Sequence, residues 1–202
     1  MRLILLRHGE TLWNAEQRLQ GHDNSALSER GMEQARRFVP IARGLGAYRV
    51  VSSDLGRTRH TAELIGHGGC AVDERLRERN MGAWTGRRKS EILAGDDRQQ
   101  YLAWQAGHFV PPGAESWDAF RCRVASGIVH WLSAGPGDLL CVVHNGVIRA
   151  ACHAFLDLPP ARSFPVTPGT ATILRFDGKD SSSARLEAYN LGAFLPDLQV
   201  SD

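Results

Sequence analysis

A short apolar run near the start of the chain, Leu3 to Leu6, is followed at once by polar residues and a glycine. A run of this length that ends in this way is typical of a strand buried on both faces, as in a parallel sheet. In open α/β sheets, ligands bind at the carboxyl ends of such strands. The residues that follow the run are Arg7, His8 and Gly9. We therefore expect an α/β fold with a site at this edge of the sheet.

The three residues at this edge suit a phosphoryl group. Arg7 offers a fixed fork of donors that matches phosphate oxygens. His8 offers a nitrogen nucleophile that can be neutral near pH 7. Gly9 lets the backbone approach closely, because it has no Cβ. Taken alone, an Arg-His pair at a strand end is more often a pair of side chains that cap strand carbonyls, so the interpretation depends on what the rest of the chain supplies.

A second stretch repeats the order of the first. Leu139 to Val143 is another buried apolar run, and His144, Asn145 and Gly146 follow it before a predicted helix. A lone histidine in this place is more often a capping or core residue. Because the carboxyl ends of parallel strands meet at one edge, His144 is predicted to join His8 in a single site.

Two further stretches each add one charged group. A predicted strand over Tyr48–Ser52 leads into a helix that carries Arg57 one turn from its start, and a helix N-terminus itself favours an anion. A second predicted strand, over Val72–Leu76, is followed by Glu78. A glutamate after a strand is usually only a surface charge, so a functional role for Glu78 depends on the sequence motif around it.

These four stretches, RHGET with Asn14, SSDLGRTRHTA, LRERNMGAWTG and VVHNGVIRA, resemble in order the motifs of the histidine phosphatase superfamily, the phosphoglycerate-mutase-like proteins. The resemblance covers nearly the whole chain. It implies an α/β fold: a three-layer α/β/α sandwich with a mostly parallel central sheet. It also implies one domain over 1–202, a size that the chain length allows. Residues 87–116 would then be an excursion that walls or lids the site.

The resemblance also implies a role for each site residue. His8 would attack phosphorus to form a phosphohistidine, and Glu78, if protonated, would give its proton to the leaving group. The other catalytic residues would be Arg7 and Arg57, which would each give a guanidinium fork to the phosphoryl oxygens, and His144, which would donate a third contact to them. Phosphate or substrate binding would fall to Asn14, Gln20, Gly21 and Asn145. Asn145 departs slightly from the superfamily pattern, which more often has glycine after the second histidine.

The same catalytic set serves phosphatases and cofactor-dependent phosphoglycerate mutases, so the resemblance leaves two activities open. Mutases of the family carry a longer insert before the second histidine, with an adjacent arginine pair that holds the substrate carboxylate. Here the Arg87-Arg88 pair lies elsewhere, just after Gly86. The stretch YLAWQAGHFVPPGAES is similar to the shorter phosphatases, among them α-ribazole and glucosyl-3-phosphoglycerate phosphatases. We therefore favour a phosphatase over a mutase, and both over a non-catalytic module that only binds a phosphorylated ligand.

Composition favours a small anionic molecule as the partner, and the resemblance implies that it is a small phosphorylated metabolite. The formal charge of +2 is too small to favour nucleic acid or membrane binding. No HExxH, Cys/His cluster or GxxxxGK[ST] loop is present in the sequence, so we expect no metal and no other cofactor. The four cysteines show no CxxC spacing, and no signal peptide or apolar run of membrane-spanning length is visible, so a cytoplasmic location is expected. Proteins of the superfamily often form dimers, which makes a homodimer compatible with the resemblance.

Local patterns give further expectations. Leu12 to Asp23 lacks a clean period and is predicted to be a loop, in which His22 is expected to be solvated. Pro40 predicts a kink or an early end in a helix that begins after Ser28. A strand over 171–176 is predicted near a sheet edge, with a polar turn at 178–183 and pairing over 186–189 beyond it. Four aromatic residues could wall a leaving-group pocket, although such residues are more often core: Trp84, Trp104, His108 and Trp117.

Overall fold

The computed structural model describes residues 1–177 and 184–193. Within these residues the strands are β1 (Arg2–Arg7), β2 (Tyr48–Ser52), β3 (Ala71–Val72), β4 (Asp138–Val143), β5 (Ala171–Phe176) and β6 (Ala184–Leu191). The helices are α1 (Leu12–Ala15), α2 (Glu29–Gly44), α3 (Gly56–Leu64), α4 (Lys89–Ala94), α5 (Arg98–Gln105), α6 (Trp117–Ser133) and α7 (Asn145–Leu156). None of these helices is both long and apolar enough to cross a bilayer.

The strands form one sheet in the order β3-β2-β4-β1-β5-β6. The pairs β3–β2, β2–β4 and β4–β1 are parallel, whereas β5 runs antiparallel to both β1 and β6. The predicted mostly parallel sheet is thus confirmed. In the β1–β4 register Arg7 lies opposite Val143, and the His8 N–H donates to the Val143 carbonyl at 2.9 Å. The two strands therefore end together, which brings His8 and His144 to one edge.

Helices cover both faces of the sheet, which confirms the three-layer sandwich. Because successive side chains of a strand point to opposite faces, β1 divides its apolar residues between two cores. Leu3 and Leu5 pack with α6 and α7, whereas Ile4 and Leu6 pack with α2 and α3, and all four are fully buried. The helical residues of the first core include Phe120, Val124, Ile128, Val147, Ile148 and Ala151. Those of the second include Ala35, Phe38, Ala42 and Ala62.

The segment 87–116 contains α4 and α5 and packs through a third, smaller apolar cluster rather than through the sheet. Its members are Leu19, Met81, Trp84, Ile92, Tyr101 and Trp104. Two of these residues, Leu19 and Met81, come from the loops that border the site. The cluster therefore fixes the segment directly against those loops.

The stretch predicted to be a loop, Leu12 to Asp23, begins instead with the short helix α1. The Thr11 hydroxyl accepts the Asn14 N–H at 3.1 Å, and the Asn14 amide oxygen accepts the Thr11 N–H at 3.1 Å. This reciprocal capping box holds one helical turn. A four-residue helix is too short to give a hydrophobic period, which is why the prediction missed it.

The prediction of a strand over Val72–Leu76 is also wrong, because only Val72 of these residues lies in a strand. Pairing in β3 ends at Val72, and Glu74–Leu76 forms a 3-10 turn capped by Asp73. One Asp73 carboxylate oxygen accepts the Arg75 N–H at 2.8 Å, and the other accepts the Trp131 indole N–H at 2.7 Å. Leu76 is fully buried in the first core, so the apolar residues imitate a strand pattern although the backbone has turned.

The remaining predictions for the fold have mixed outcomes. Helix α2 starts after the Ser28 cap but continues through Pro40 to Gly44, so the expected early end is wrong. Packing of Phe38 and Ala42 on either side of the proline in sequence keeps that part of the helix on the core. Strand β5 lies next to the sheet edge and β6 pairs beyond it, as predicted. The turn predicted over 178–183 lies outside the described residues.

Two glycines let the end of β1 touch the first turn of α2. A Cβ on Gly9 would lie 2.2 Å from the Gly31 carbonyl oxygen, and a Cβ on Gly31 would lie 1.9 Å from the Glu10 carbonyl oxygen. Both neighbours are backbone atoms, which cannot swing aside as a side chain can. The contact between two chain segments therefore depends on the absence of both side chains.

Gly31→Ala should destabilise the protein, although glycine-to-alanine changes inside helices usually stabilise. The added methyl would overlap backbone of the β1–α2 contact, at a cost of roughly 1–3 kcal/mol. Gly44→Ala, in the same helix, meets nothing within 4 Å and should be neutral or stabilising by about 0.5 kcal/mol. Urea unfolding of both variants measures the difference. Equal midpoints for the two variants would contradict the close contact.

Candidate active site

A cavity that is partly open to solvent lies at the carboxyl edge of β1 and β4. Eight of the nine predicted site residues line it, namely Arg7, His8, Asn14, Gln20, Gly21, Arg57, Glu78 and Asn145. The ninth, His144, lies behind the wall. The structure thus brings the predicted set together around a single space.

His8 is almost fully buried and has a defined tautomer. Its ring Nδ1 lies 2.7 Å from the Gly9 carbonyl oxygen. Because a carbonyl oxygen only accepts, Nδ1 carries the proton and Nε2 keeps its lone pair. Burial, and then the guanidiniums of Arg57 and Arg7, hold the pKa of His8 well below its usual range. The imidazole is therefore neutral at pH 7 and has a nucleophilic nitrogen at Nε2.

Arg57 is held rigidly by main-chain carbonyls at the start of α3. Its Nη1 donates to the Asp23 carbonyl at 2.7 Å, and its Nη2 donates to the Gly21 carbonyl at 2.8 Å. Burial lowers the pKa of the Arg57 guanidinium to about 10, so it remains charged at pH 7. Gly21 therefore contributes a carbonyl that positions this cation. On the other side of the site, an Arg7 guanidinium nitrogen donates to the Val166 carbonyl.

His144 is fully buried behind His8, with the two ring centroids 5.2 Å apart in a T-shaped arrangement. Its Nδ1 accepts from the Arg57 Nε at 3.3 Å, so its Nε2 carries the proton and donates to the Ser53 hydroxyl at 3.0 Å. Burial, and next the Arg57 guanidinium, hold the pKa of His144 well below its usual range. In this arrangement the ring fixes Arg57 and packs on His8. The direct phosphate contact that the resemblance implies for His144 stays a prediction.

Two asparagine side chains are oriented by their oxygens. The Asn14 Oδ1 accepts from the backbone and hydroxyl of Thr11, and the Asn145 Oδ1 accepts the Val166 N–H at 2.8 Å. The Asn145 Nδ2 is buried and has no hydrogen-bond acceptor within residues 1–177 and 184–193. Since both residues line the cavity, each amide can present its donor end to an anion there.

Glu78 is fixed at the N-terminus of α7. One carboxylate oxygen accepts the Gly146 N–H at 3.0 Å, and the other accepts the Arg79 N–H at 2.8 Å. A Cβ on Gly146 would lie 2.1 Å from the Glu78 Oε1, so only glycine lets the carboxyl reach this helix end. Gly146, in the second histidine motif, thus leaves the space that the Glu78 carboxyl occupies.

Two residues to which the sequence assigned no role position Glu78. The His22 Nε2–H donates to the Glu78 carbonyl at 2.9 Å, so the expectation that His22 is solvated is wrong. Arg123, on α6, donates to the carbonyls of Arg75 at 2.8 Å, Arg77 at 3.1 Å and Glu78 at 3.3 Å. Both act on backbone oxygens of a distant loop, a contact that no local sequence pattern encodes.

Positive charge dominates the wall of the cavity. The charged lining residues are Glu78 and five arginines, namely Arg7, Arg18, Arg57, Arg79 and Arg149. Arg18 is balanced in part by Glu16, at 2.7 Å. Of the four aromatic residues proposed to wall a pocket, Trp104 and Trp117 line the cavity, whereas Trp84 is buried in the third cluster. The space is suited to an anion attached to a partly apolar group.

The arrangement can carry out phosphoryl transfer. A neutral imidazole nitrogen can attack phosphorus, guanidiniums and amides can stabilise the oxygens, and a carboxyl lies close enough to exchange a proton. Within the described part of the chain, no group of three or more His, Cys, Asp or Glu side chains is arranged to hold a metal ion.

Comparisons with known proteins identify the family of this chain. The sequence pattern of the histidine phosphatase superfamily (branch 1) matches residues 3–190. A Salmonella paratyphi C protein named as a probable phosphoglycerate mutase is 34% identical over 188 residues, covering 90% of this chain and 86% of its own.

Two solved structures of phosphatases are also similar. The mycobacterial glucosyl-3-phosphoglycerate phosphatase, solved with VO3, has a TM-score of 0.86 and 32% identity, covering 95% of this chain and 99% of its own. The α-ribazole phosphatase of Shigella flexneri has a TM-score of 0.80 and 28% identity, with coverages of 96% and 100%.

Proposed function

This chain belongs to branch 1 of the histidine phosphatase superfamily, and on that premise we propose that it is a metal-independent phosphomonoesterase acting on a small phosphorylated metabolite. The observation that carries the proposal is the buried, neutral His8, whose Nε2 is available in a cavity lined by Arg7 and Arg57. A phosphate monoester carries nearly two negative charges, which these two guanidiniums match.

In the first step the phosphate dianion is held by the two guanidiniums and by the amides of Asn14 and Asn145. The His8 Nε2 lone pair forms a bond to phosphorus as the bond from phosphorus to the ester oxygen breaks. Protonated Glu78 gives its proton to that leaving oxygen, so an alcohol departs. The hydrogen bond from Nδ1–H to the Gly9 carbonyl stabilises the positive charge that develops on the ring.

In the second step water attacks the phosphohistidine. Glu78, now a carboxylate, takes a proton from the water as its oxygen bonds to phosphorus. The bond between phosphorus and Nε2 breaks, its electron pair returns to the imidazole, and inorganic phosphate leaves. The enzyme is restored with His8 neutral and Glu78 protonated, and no redox change occurs.

The residues around the cavity favour transfer of the phosphoryl group to water over its transfer back to a phosphoglycerate. Arg87 pairs with Asp97 at 2.7 Å and Arg88 with Glu16 at 3.5 Å, and neither arginine lines the cavity. The adjacent arginine pair is therefore not placed to hold a substrate carboxylate as the pair in mutases would. Phosphoglycerate mutase is the second candidate, because relatives at 34% identity carry that name. A mutase would return the phosphoryl group to a bound phosphoglycerate instead of to water.

We also propose that the enzyme acts in the cytoplasm. All four cysteines are free thiols, and Cys141 and Cys152 are buried in the core, which suits a reducing compartment. A homodimer, which the resemblance allows, stays a prediction that size measurements in solution can test.

Release of inorganic phosphate from a panel of phosphomonoesters tests the proposed function. We expect turnover in the presence of EDTA, and its loss by at least about a thousandfold in His8→Ala, because the nucleophile is gone. The panel includes 3-phosphoglycerate with a trace of 2,3-bisphosphoglycerate, assayed for 2-phosphoglycerate. Isomer formation that is faster than phosphate release would make the protein a mutase, and a fully active His8→Ala would refute both activities.

The proton-donor role of Glu78 predicts that Glu78→Gln will affect substrates according to their leaving groups. Alkyl phosphates need a proton on the departing oxygen, so their kcat/KM should fall by about 10²–10⁴. p-Nitrophenyl phosphate leaves as a stable anion and should lose much less at the phosphorylation step. Asp118→Asn, an exposed carboxylate on α6, is the matched control. An equal loss for both substrates would exclude general acid catalysis by Glu78.

A further inference from the structure

Trp117 forms part of the cavity wall and is held there by contacts from several elements. Its ring meets Phe120 in a T-shaped arrangement with the centroids 5.7 Å apart, and a Cβ on Gly107 would lie 3.7 Å from its Cγ. The guanidinium carbon of Arg79 lies 5.9 Å from its ring centroid. The polar atom of the indole has a different partner.

That partner is His153, on α7. The Trp117 Nε1–H donates to the His153 Nδ1 at 2.9 Å, and the planes of the two rings differ by only 19°. Two ring nitrogens this close do not belong to rings stacked face to face, so the N–H points at the lone pair in the imidazole plane. Nδ1 is therefore unprotonated, and Nε2 carries the proton of the neutral ring.

His153 connects this wall to the helix that carries part of the site. Gly146 and Arg149 line the cavity, and His153 follows Arg149 on the same face of α7 at the next helical turn. The hydrogen bond thus joins α6 to that face of α7 and fixes the rotation of the indole. Arg79, which contacts the indole, follows the proposed proton donor Glu78 in the chain. The indole therefore lies on the side of the cavity where the leaving group departs.

His153 loses this hydrogen bond if it gains a proton. Unlike the buried His8 and His144, it is partly exposed, and it lies in the last turn of α7, where a helix favours positive charge. Histidine ordinarily changes its charge between about pH 5 and pH 8. Both nitrogens of an imidazolium are donors, so Nδ1 and the indole N–H would then oppose each other.

Charged or titratable side chains lie on every element that packs on this pair. They are Arg149 and Asp157 on or just after α7, Asp118 and Arg121 on α6, Arg79 beside the indole, and His108 next to Gly107. Arginine and aspartate ordinarily keep one charge state above about pH 5.5. His108 is the other group of this set that ordinarily titrates in that range, and a substitution of His153 separates the two.

We propose that neutral His153 is a positioning residue that holds the Trp117 indole against the leaving group of the substrate, and that protonation of His153 releases this wall. The proposal deepens the proposed function, on which it rests. The leaving groups affected are those with an apolar or aromatic surface, since Trp104, Phe120 and Met81 also line the cavity. A leaving group too small to reach the indole would not respond to the state of His153.

Binding of two phosphomonoesters to the His8→Ala chain tests the proposal without turnover. Phenyl phosphate carries a ring that can contact Trp117, whereas methyl phosphate carries the same phosphate and no such ring. Calorimetry at about pH 8 should show tighter binding of phenyl phosphate, and this advantage should fall about three- to tenfold at about pH 5.5, the size of one aromatic contact. Binding of methyl phosphate at both pH values shows that the chain stays folded.

Substitutions of His153 separate the hydrogen bond from the charge. In His8→Ala/His153→Asn the amide oxygen can accept in the place of Nδ1 and does not titrate, so the advantage should be kept at both pH values. In His8→Ala/His153→Leu no acceptor remains, so the advantage should be low at both. Any difference in ionisation between the two ligands is the same for every chain and cancels in the comparison.

His8→Ala/His130→Asn is the matched control. His130, on α6, is exposed and packs beside another tryptophan, Trp131, with the ring centroids 5.6 Å apart, and neither residue lines the cavity. This variant should retain the pH dependence of the His8→Ala chain.

Three results would overturn the proposal. They are an advantage of phenyl phosphate that does not change with pH in the His8→Ala chain, a His153→Asn variant that keeps the pH dependence, or a His130→Asn variant that loses it. The first needs no substitution of His153, so it decides the matter even if those variants do not fold.

Phosphate release from p-nitrophenyl phosphate by the unsubstituted chain is measured in parallel. If that release fails while the His153-dependent preference holds, the proposed hydrolysis is wrong and the role of His153 in binding stands. The opposite result refutes the role of His153 alone.

Discussion

Parallel pairing of β1 with β4 is the constraint on which the site depends. The register places Arg7 opposite Val143, so the chain leaves both strands at the same level, and a hydrogen bond from the His8 N–H to the Val143 carbonyl extends the pairing by one step. Both histidines then lie at the sheet edge where the helices α3 and α7 begin. A slip of one residue in this register would turn one histidine to the opposite face of the sheet.

The site combines buried cations with neutral imidazoles. Arg57 is buried but keeps its charge, because main-chain carbonyls accept its hydrogen bonds. Burial, and next the Arg57 guanidinium, hold the pKa of His8 and that of His144 well below the usual range. Glu78 receives N–H donors from Gly146 and its own neighbour, so it is oriented before any substrate arrives.

The parts of the structure that could be predicted from the sequence are those that repeat a local pattern. Apolar runs predicted the parallel strands, and the polar residues after them predicted which side chains would share the cavity. The assignment of Glu78 needed the family resemblance, because a glutamate after a strand carries no signal of its own. The end of β3 at Val72, before the turn that Asp73 caps, could not be foreseen, since the apolar Leu76 beyond it imitates a continued strand.

The sequence did not predict contacts between single side chains and groups that are distant in the chain. His22 and Arg123 donate to the Glu78 carbonyl from separate elements of the fold. The guanidinium of Arg79 contacts the indoles of Trp104 and Trp117, which both lie well beyond it in the chain. Such contacts follow from the assembled fold, not from periodicity.

The central claim, that His8 becomes covalently phosphorylated, is tested most directly by trapping the intermediate. The enzyme is mixed with substrate, quenched in denaturing alkali within milliseconds, and digested for mass spectrometry. We expect one added phosphoryl group on the peptide that contains His8, stable in alkali and lost in acid, as a phosphorus–nitrogen bond requires. Rapid turnover with no phosphorylated His8 at any quench time would contradict it and would instead indicate direct attack of water on the substrate.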